Sequence, residues 1–209
     1  MSLNGTSMYA GLDPATVPEI VHNAVEAAHE LDFPLCVHPA TGRLLQSLAA
    51  GVGPGGVVAE TGTGTGAGLA WMVSFADPGV QFLSVELDES RAQVAQQVFA
   101  DIDNVTVLQG DAGLVYDQGP FDLLVFDGGW GSGKSGGPRV ELADVVKPHG
   151  MFTVDDFHSP ISSWPPMFNG EIDAGRHYWL THPDVLATEV RVAPDMAVVI
   201  GRYTPGINN

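Results

Sequence analysis

Basic residues are scarce in this chain: 8 Lys and Arg stand against 25 Asp and Glu in 209 residues, a formal net charge of −17. No dense cluster of Lys or Arg occurs, so a phosphate backbone is repelled, and a small molecule replaces nucleic acid as the expected partner. Cysteine is represented by Cys36 alone, which excludes an internal disulfide. No apolar run reaches the roughly 18 residues that a membrane helix needs, so no membrane partner is expected. The first residues, Met1 to Pro14, lack the basic patch and apolar core of a signal peptide, and the expected location is cytoplasmic. In that compartment the glycosylation patterns Asn4-Gly5-Thr6 and Asn104-Val105-Thr106 carry no meaning.

What the chain does have is glycine, 26 residues of it, and 44% apolar residues, enough for one domain with a full core. The expected layout is a single domain over 1–209, with N-terminal helices to 52, a ligand-binding core over 57–156, and a substrate-side segment with a closing hairpin over 157–209. The core begins at Val57-Val58-Ala59-Glu60-Thr61-Gly62-Thr63-Gly64-Thr65-Gly66-Ala67-Gly68. A short apolar run stops at alternating glycines, and an apolar segment of helical period follows from Leu69 to Phe75, which reads as strand, tight turn, helix. Glycine permits positive φ and has no Cβ, so a ligand reaches the backbone N–H groups at the positive end of the helix.

Before this turn, Asp13-Pro14 reads as an N-cap and first helical residue, with Val17, Ile20, Val21, Ala24, Val25 and Ala28 on one helical face. Thr41 to Leu48 reads as a second helix, ended by the glycines from Gly51 to Gly56. After it come strand 57–61, helix 66–76, strand 81–87, helix 89–100, strand 105–110, strand 121–127, a helix near 138–146 and strand 150–155. Apolar strands alternating with helices predict an α/β fold: a doubly wound, mostly parallel sheet. Val185 to Val192 and Met196 to Tyr203 predict an antiparallel hairpin at one sheet edge, while Ser159 to Asp184 shows no period. Glu60, Glu86, Asp111, Asp127 and Asp155 stand at successive strand ends, where ligands bind in such sheets.

The glycine turn admits several cofactors. Gly62-Thr63-Gly64-Thr65-Gly66-Ala67 fits a dinucleotide fingerprint with Glu86 at a distance suited to ribose hydroxyls, the mark of an NAD(P)-dependent oxidoreductase. Gly128-Gly129-Trp130-Gly131-Ser132-Gly133-Lys134-Ser135 formally matches a P-loop, although Gly136-Gly137-Pro138 stands where a long helix should begin; otherwise it reads as a flexible glycine loop.

A longer pattern uses more of the chain. Glu60 to Gly66, then Val85-Glu86-Leu87-Asp88, then Gln109-Gly110-Asp111-Ala112, then Phe121-Asp122-Leu123-Leu124-Val125-Phe126-Asp127 resemble class I S-adenosylmethionine-dependent methyltransferases in order and spacing. Thr41-Gly42-Arg43-Leu44-Leu45 and the closing hairpin are similar to the small O-methyltransferases of the catechol and caffeoyl-CoA type. The resemblance implies the Rossmann-like methyltransferase fold with seven strands, S-adenosylmethionine as cofactor, methyl transfer to a hydroxyl oxygen of a small molecule, and a homodimer. It implies that Gly62, Thr63, Gly64 and Gly66 hold the amino acid end of the cofactor, Glu86 with Leu87 the ribose diol, and Asp111 with Ala112 the adenine. Glu60 is expected to tie down the turn, and Asp127 to border the cofactor. A non-catalytic S-adenosylmethionine-binding protein is the alternative from outside the enzymes.

In this family an Asp after the fourth strand and an acidic pair after the fifth hold a divalent ion, and Asp127 and Asp155-Asp156 match those positions. Oxygen ligands suit Mg²⁺ or another hard divalent cation, and three adjacent carboxylates repel one another without one. The family lysine three residues after the first metal Asp is Trp130 here; either Lys134 or a histidine replaces it, or the substrate needs no such base. His158, beyond the acidic pair, is a candidate general base. Trp130, Trp164 and Trp179 serve either as walls of an aromatic pocket or as core filling.

Overall fold

Side chains of successive strand residues leave a sheet on opposite faces, and the apolar runs here are apolar at both parities, so both faces need cover. The computed structural model describes residues 4–134, 137–158 and 160–207. Two 3₁₀ turns, Thr6–Gly11 and Pro14–Thr16, precede α1 (Glu19–Glu30) and α2 (Pro39–Ala49). Next come β1 (Val57–Thr61), α3 (Ala67–Val73), β2 (Gln81–Glu86), α4 (Glu89–Val98), β3 (Val105–Gln109), α5 (Gly113–Tyr116), β4 (Phe121–Phe126), α6 (Leu142–Val145) and β5 (Val146–His158). The chain closes with β6 (Met167–Phe168), β7 (Glu171–Ile172), α7 (Ala174–Thr181), β8 (Val185–Ala193) and β9 (Met196–Tyr203).

Seven strands form one sheet in the order β3-β2-β1-β4-β5-β9-β8, with β1 to β5 parallel and β9 antiparallel between β5 and β8. The doubly wound sheet with an antiparallel closing hairpin is therefore present as expected. Val58, Leu123 and Val125 face a core shared with Val21, Leu45, Trp71 and Phe99, while Ala59, Leu124 and Phe126 face a second core with Val115, Phe152 and Trp179. Trp71 and Trp179, at 1% and 0% exposure, anchor one face each. Truncating either indole to Ala costs about 3–5 kcal/mol, the usual penalty for emptying so large a site.

Several boundaries differ from expectation. Asp13 accepts a hydrogen bond from Ala15 N, but caps only the short turn Pro14–Thr16. Pro18 forces Val17 to stay extended and α1 starts at Glu19, five residues beyond the expected first helical position. The helix near 138–146 shrinks to Leu142–Val145, because Arg139 bridges back to Gly131 and Ser132. Residues 160–184 hold ordered elements where no period was seen. Asn169 and Gly170, at φ 51° and 84°, turn the β6–β7 hairpin, and the Asp173 carboxylate accepts from Arg176 N to cap α7.

Candidate active site

β1 delivers the glycine turn to the carboxyl edge of the sheet. Gly62, Gly64 and Gly66 take φ values of 87°, 57° and 98°, and a Cβ on Gly62 would lie 2.5 Å from Gly128 N, so the turn is closed to other residues by both conformation and space. Thr63 Oγ1 lies 2.5 Å from Ser84 Oγ, which donates to Glu60 Oε2 at 2.8 Å. Glu60 is buried beneath the turn, and its Oε1 fills the space where a Cβ on Gly68 would go. That close approach is a physical reason for glycine at position 68. Burial pushes the Glu60 carboxyl up to about 8, with the Asp155 and Glu86 charges adding to the effect.

Glu86 ends β2, buried against the turn. Its Oε2 accepts from Gly64 N at 2.8 Å; its Oε1 accepts from Asp88 N at 2.9 Å and from Arg91 Nε and Nη2 at 3.2 and 2.8 Å. Oε1 is thus saturated, and Oε2 keeps capacity for one further donor. Asp111, after β3, is exposed and accepts on Oδ1 from Gly113 N at 3.0 Å and from Trp130 Nε1 at 2.7 Å. These bonds, the backbone one foremost, hold its carboxyl below the usual range. Glu86, Leu87, Arg91, Asp111 and Ala112 line a cavity of about 170 Å³. Over the glycines themselves, the space between the turn, Asp127 and residues 33–37 is only about 10 Å³, room for about one water. Phe33 stands over Gly64, and its backbone is strapped down by the N-terminal turn: Thr6 Oγ1 donates to Phe33 O and Tyr9 OH to Val37 O.

The second corner is built by a bulge. Between Val154 and Phe157, β5 carries one residue more than β9 opposite it, and Asp156 sits there at φ 55°. Regular alternation would send Asp155 and Asp156 to opposite faces. The bulge instead buries both, at 2% and 5% exposure, beside half-buried Asp127. One carboxylate oxygen from each of the three lies within 4.8 Å of the others. Asp155 Oδ1 is buried with no hydrogen-bond donor among the described residues. Burial raises the pKa of both Asp127 and Asp155, and Asp155 adds repulsion at Asp127. Crowded carboxylates that repel one another, one of them with a buried oxygen that meets no donor among the described residues, fit a hard cation.

Lys134 reaches this corner from the glycine loop: its Nζ donates to Asp155 O at 2.6 Å and lies 5.5 Å from the Phe157 ring centre. Burial lowers its pKa, while the Asp155 and Asp127 charges oppose the shift. The formal P-loop match does not hold, as Gly136-Gly137-Pro138 suggested: Lys134 turns into the protein and no long helix follows the loop among the described residues, with Ser135 outside them. Nor is the loop a loose one. Gly128 N donates to Thr61 O, Tyr116 OH to Trp130 O, and Trp179 Nε1 to Ser132 O, each fastening it to a different element.

His158 and Lys134 share a cavity of about 460 Å³ with Asp156, Phe157, Phe168 and Arg176. His158 is exposed there. Of the three tryptophans, Trp179 is core filling, Trp130 flanks Asp111, and Trp164 is 62% exposed against His177. Residues that sequence reading missed are Phe33, Ser84, Arg91 and Arg176. Two of them carried a signal: Arg91 and Arg176 each stand three residues after a helix-capping Asp, Asp88 and Asp173. A larger cavity, about 670 Å³, opens at the opposite pole of the sheet around Asp122, Lys147 and Arg202 and contains none of the expected site residues.

No family model and no curated protein sequence matches the chain. Solved structures do. The O-methyltransferase TomG from Streptomyces achromogenes, in complex with SAM, superposes with a TM-score of 0.70 at 18% identity over 98% of this chain and 99% of that one. Cofactor-bound Rv0187 from MTB gives 0.70 at 21% identity, covering 94% and 93% of the two chains, and the O-methyltransferase from Bacillus cereus in complex with SAH gives 0.69 at 18% identity over 96% of each. At such identities the likeness speaks for architecture: the chain has the Rossmann-like methyltransferase fold.

Proposed function

We propose that the protein transfers a methyl group from S-adenosylmethionine to a hydroxyl oxygen of a small molecule, aided by a divalent cation. The observation that carries this reading is the convergence of Asp127, Asp155 and Asp156 within 4.8 Å beside the glycine turn, on a sheet whose β9 runs antiparallel. A dinucleotide-binding oxidoreductase of the doubly wound type is built from two parallel βαβαβ halves in the order 3-2-1-4-5-6, so an antiparallel β9 inserted between β5 and β8 weighs against the NAD(P) alternative. Solved structures of similar fold include O-methyltransferases in complex with SAM or SAH.

In this reading the glycine turn and Asp127 hold the amino acid end of the cofactor, Glu86 accepts a ribose hydroxyl on Oε2, and Ala112 and Trp130 flank the base near Asp111. Because the space over the glycines is about 10 Å³, Phe33 and its strap move aside to admit the ligand. The sulfonium of S-adenosylmethionine supplies the methyl group: its carbon–sulfur bond breaks as the carbon–oxygen bond forms, and sulfur keeps the electron pair. Asp127, Asp155 and Asp156 hold the cation, which supplies Lewis acidity to the acceptor hydroxyl. Lys134, fixed on Asp155 O, orients the strand end that carries two of those carboxylates. His158, on the wall of the 460 Å³ cavity, takes the released proton. Titration calorimetry with S-adenosylhomocysteine and with NAD tests the cofactor. Micromolar binding of the first alone is expected, and binding of NAD alone overturns the reading.

A further inference from the structure

A carboxylate at a strand end can accept both hydroxyls of a ribose, one on each oxygen, provided both oxygens are open. The two oxygens of Glu86 are not alike in this respect. Oε1 accepts from Asp88 N at 2.9 Å and from Arg91 Nε and Nη2 at 3.2 and 2.8 Å, three donors on an atom with two lone pairs. Oε2 accepts from Gly64 N at 2.8 Å and, among the described residues, from no other donor. Glu86 is 3% exposed, so water competes little for the filled oxygen.

Arg91 is held in place from three sides. Besides its two bonds to Glu86, its Nη1 lies 3.8 Å from Asp88 Oδ2, and its Cζ lies 5.1 Å from the ring centre of Phe33, the residue that stands over Gly64. A planar guanidinium set between two carboxylates and a ring keeps one arrangement, which a flexible ammonium would not. Arg91 also lines the 170 Å³ cavity together with Glu86 and Asp111, so what it blocks is a face of the cofactor site itself.

We propose, on the footing that S-adenosylmethionine is the cofactor, that Arg91 is a positioning residue that restricts recognition of the ribose to one hydroxyl. By filling Oε1 it leaves Oε2 as the one acceptor that Glu86 can offer, and the second hydroxyl is left to water. Removing the guanidinium leaves Asp88 N alone on Oε1 and opens one acceptor position there. A lysine that reaches Oε1 with a single donor keeps that oxygen filled.

The test is titration calorimetry of the full chain with S-adenosylhomocysteine and with its 2′-deoxy and 3′-deoxy analogues. A hydroxyl bonded to a buried carboxylate is worth roughly tenfold to a hundredfold in affinity, and one left to water less than about threefold. The unsubstituted protein should therefore lose affinity for one analogue only. In Arg91→Met both analogues should bind more weakly than the parent ligand, each by roughly tenfold, and Arg91→Lys should restore the one-sided pattern. A role of Arg91 in folding alone would weaken all three ligands alike and leave the pattern as it was. Similar affinities for the two analogues in the unsubstituted protein, or a one-sided pattern that persists in Arg91→Met, overturn the proposal; binding of S-adenosylhomocysteine itself then leaves the cofactor reading standing. If S-adenosylhomocysteine fails to bind, both readings fall together.

Discussion

The two halves of the candidate site treat their carboxylates in opposite ways. On the cofactor side, Glu86 and Asp111 are met by donors: Gly64 N, Asp88 N and Arg91 for the first, Gly113 N and Trp130 Nε1 for the second. On the acceptor side, Asp127 and Asp155 are buried close together, their pKa values rise, and Asp155 Oδ1 has no donor among the described residues. Donors around a carboxylate fix a shape before any ligand arrives, whereas crowded carboxylates store repulsion that a cation relieves. Glu60 lies beneath both halves, its charge suppressed by burial and by Asp155 and Glu86.

Substitutions separate these halves. The largest effect is expected for Asp155→Asn, which should lower kcat/KM by roughly 10⁴-fold, the several kcal/mol attributed to a bound metal, while raising the melting temperature in chelator, since one buried carboxylate is gone. A fall in both activity and stability would show that Asp155 is satisfied by the protein alone.

Next comes Glu60→Gln. A carboxyl raised to about 8 from an ordinary 4.5 favours folding in acid, and its contribution is lost as pH rises from about 4.5 through about 8. Removing it should flatten that part of the pH–stability curve and add roughly 3–5 kcal/mol above about pH 9. Chemical denaturation at several pH values in chelator measures this. Asp127 and Asp155 titrate in the same direction, so a residual slope remains, and only that residue should respond to Mg²⁺.

Glu86→Ala strips the acceptor from Gly64 N, Asp88 N and Arg91 at once. Affinity for S-adenosylhomocysteine should fall about 100-fold by calorimetry, the scale of leaving buried donors and a charge unmatched, while Mg²⁺ affinity changes little. A parallel loss of Mg²⁺ affinity would erase the separation between the halves. The smallest effect is expected for Trp130→Phe. It removes the indole donor to Asp111 but keeps an aromatic ring, and should weaken cofactor binding by roughly twofold to threefold.

The strand, glycine turn and helix were legible in the sequence because they are local, lying within Val57 to Val73, and acids at strand ends recur at the spacing of βα units. The acceptor side depends on longer connections. Asp155 and Asp156 read as an acidic pair, but their shared direction comes from a bulge against β9, some forty residues away in sequence. Lys134 reads both as part of a formal P-loop match and as a candidate replacement for the family lysine, and the folded loop turns it toward Asp155. The segment 160–184 has too few residues per element for periodicity; its signals were Asn169-Gly170 and the capping Asp173. Pro18 was a breaker in plain view, and its effect on Val17 moved the start of α1.

The most direct test follows labelled methyl from S-adenosylmethionine into a panel of phenols and catechols, with Mg²⁺ and with chelator. The account predicts label on oxygen of a catechol in Mg²⁺ and its loss in chelator. Tight cofactor binding with no label in any acceptor under either condition would contradict it.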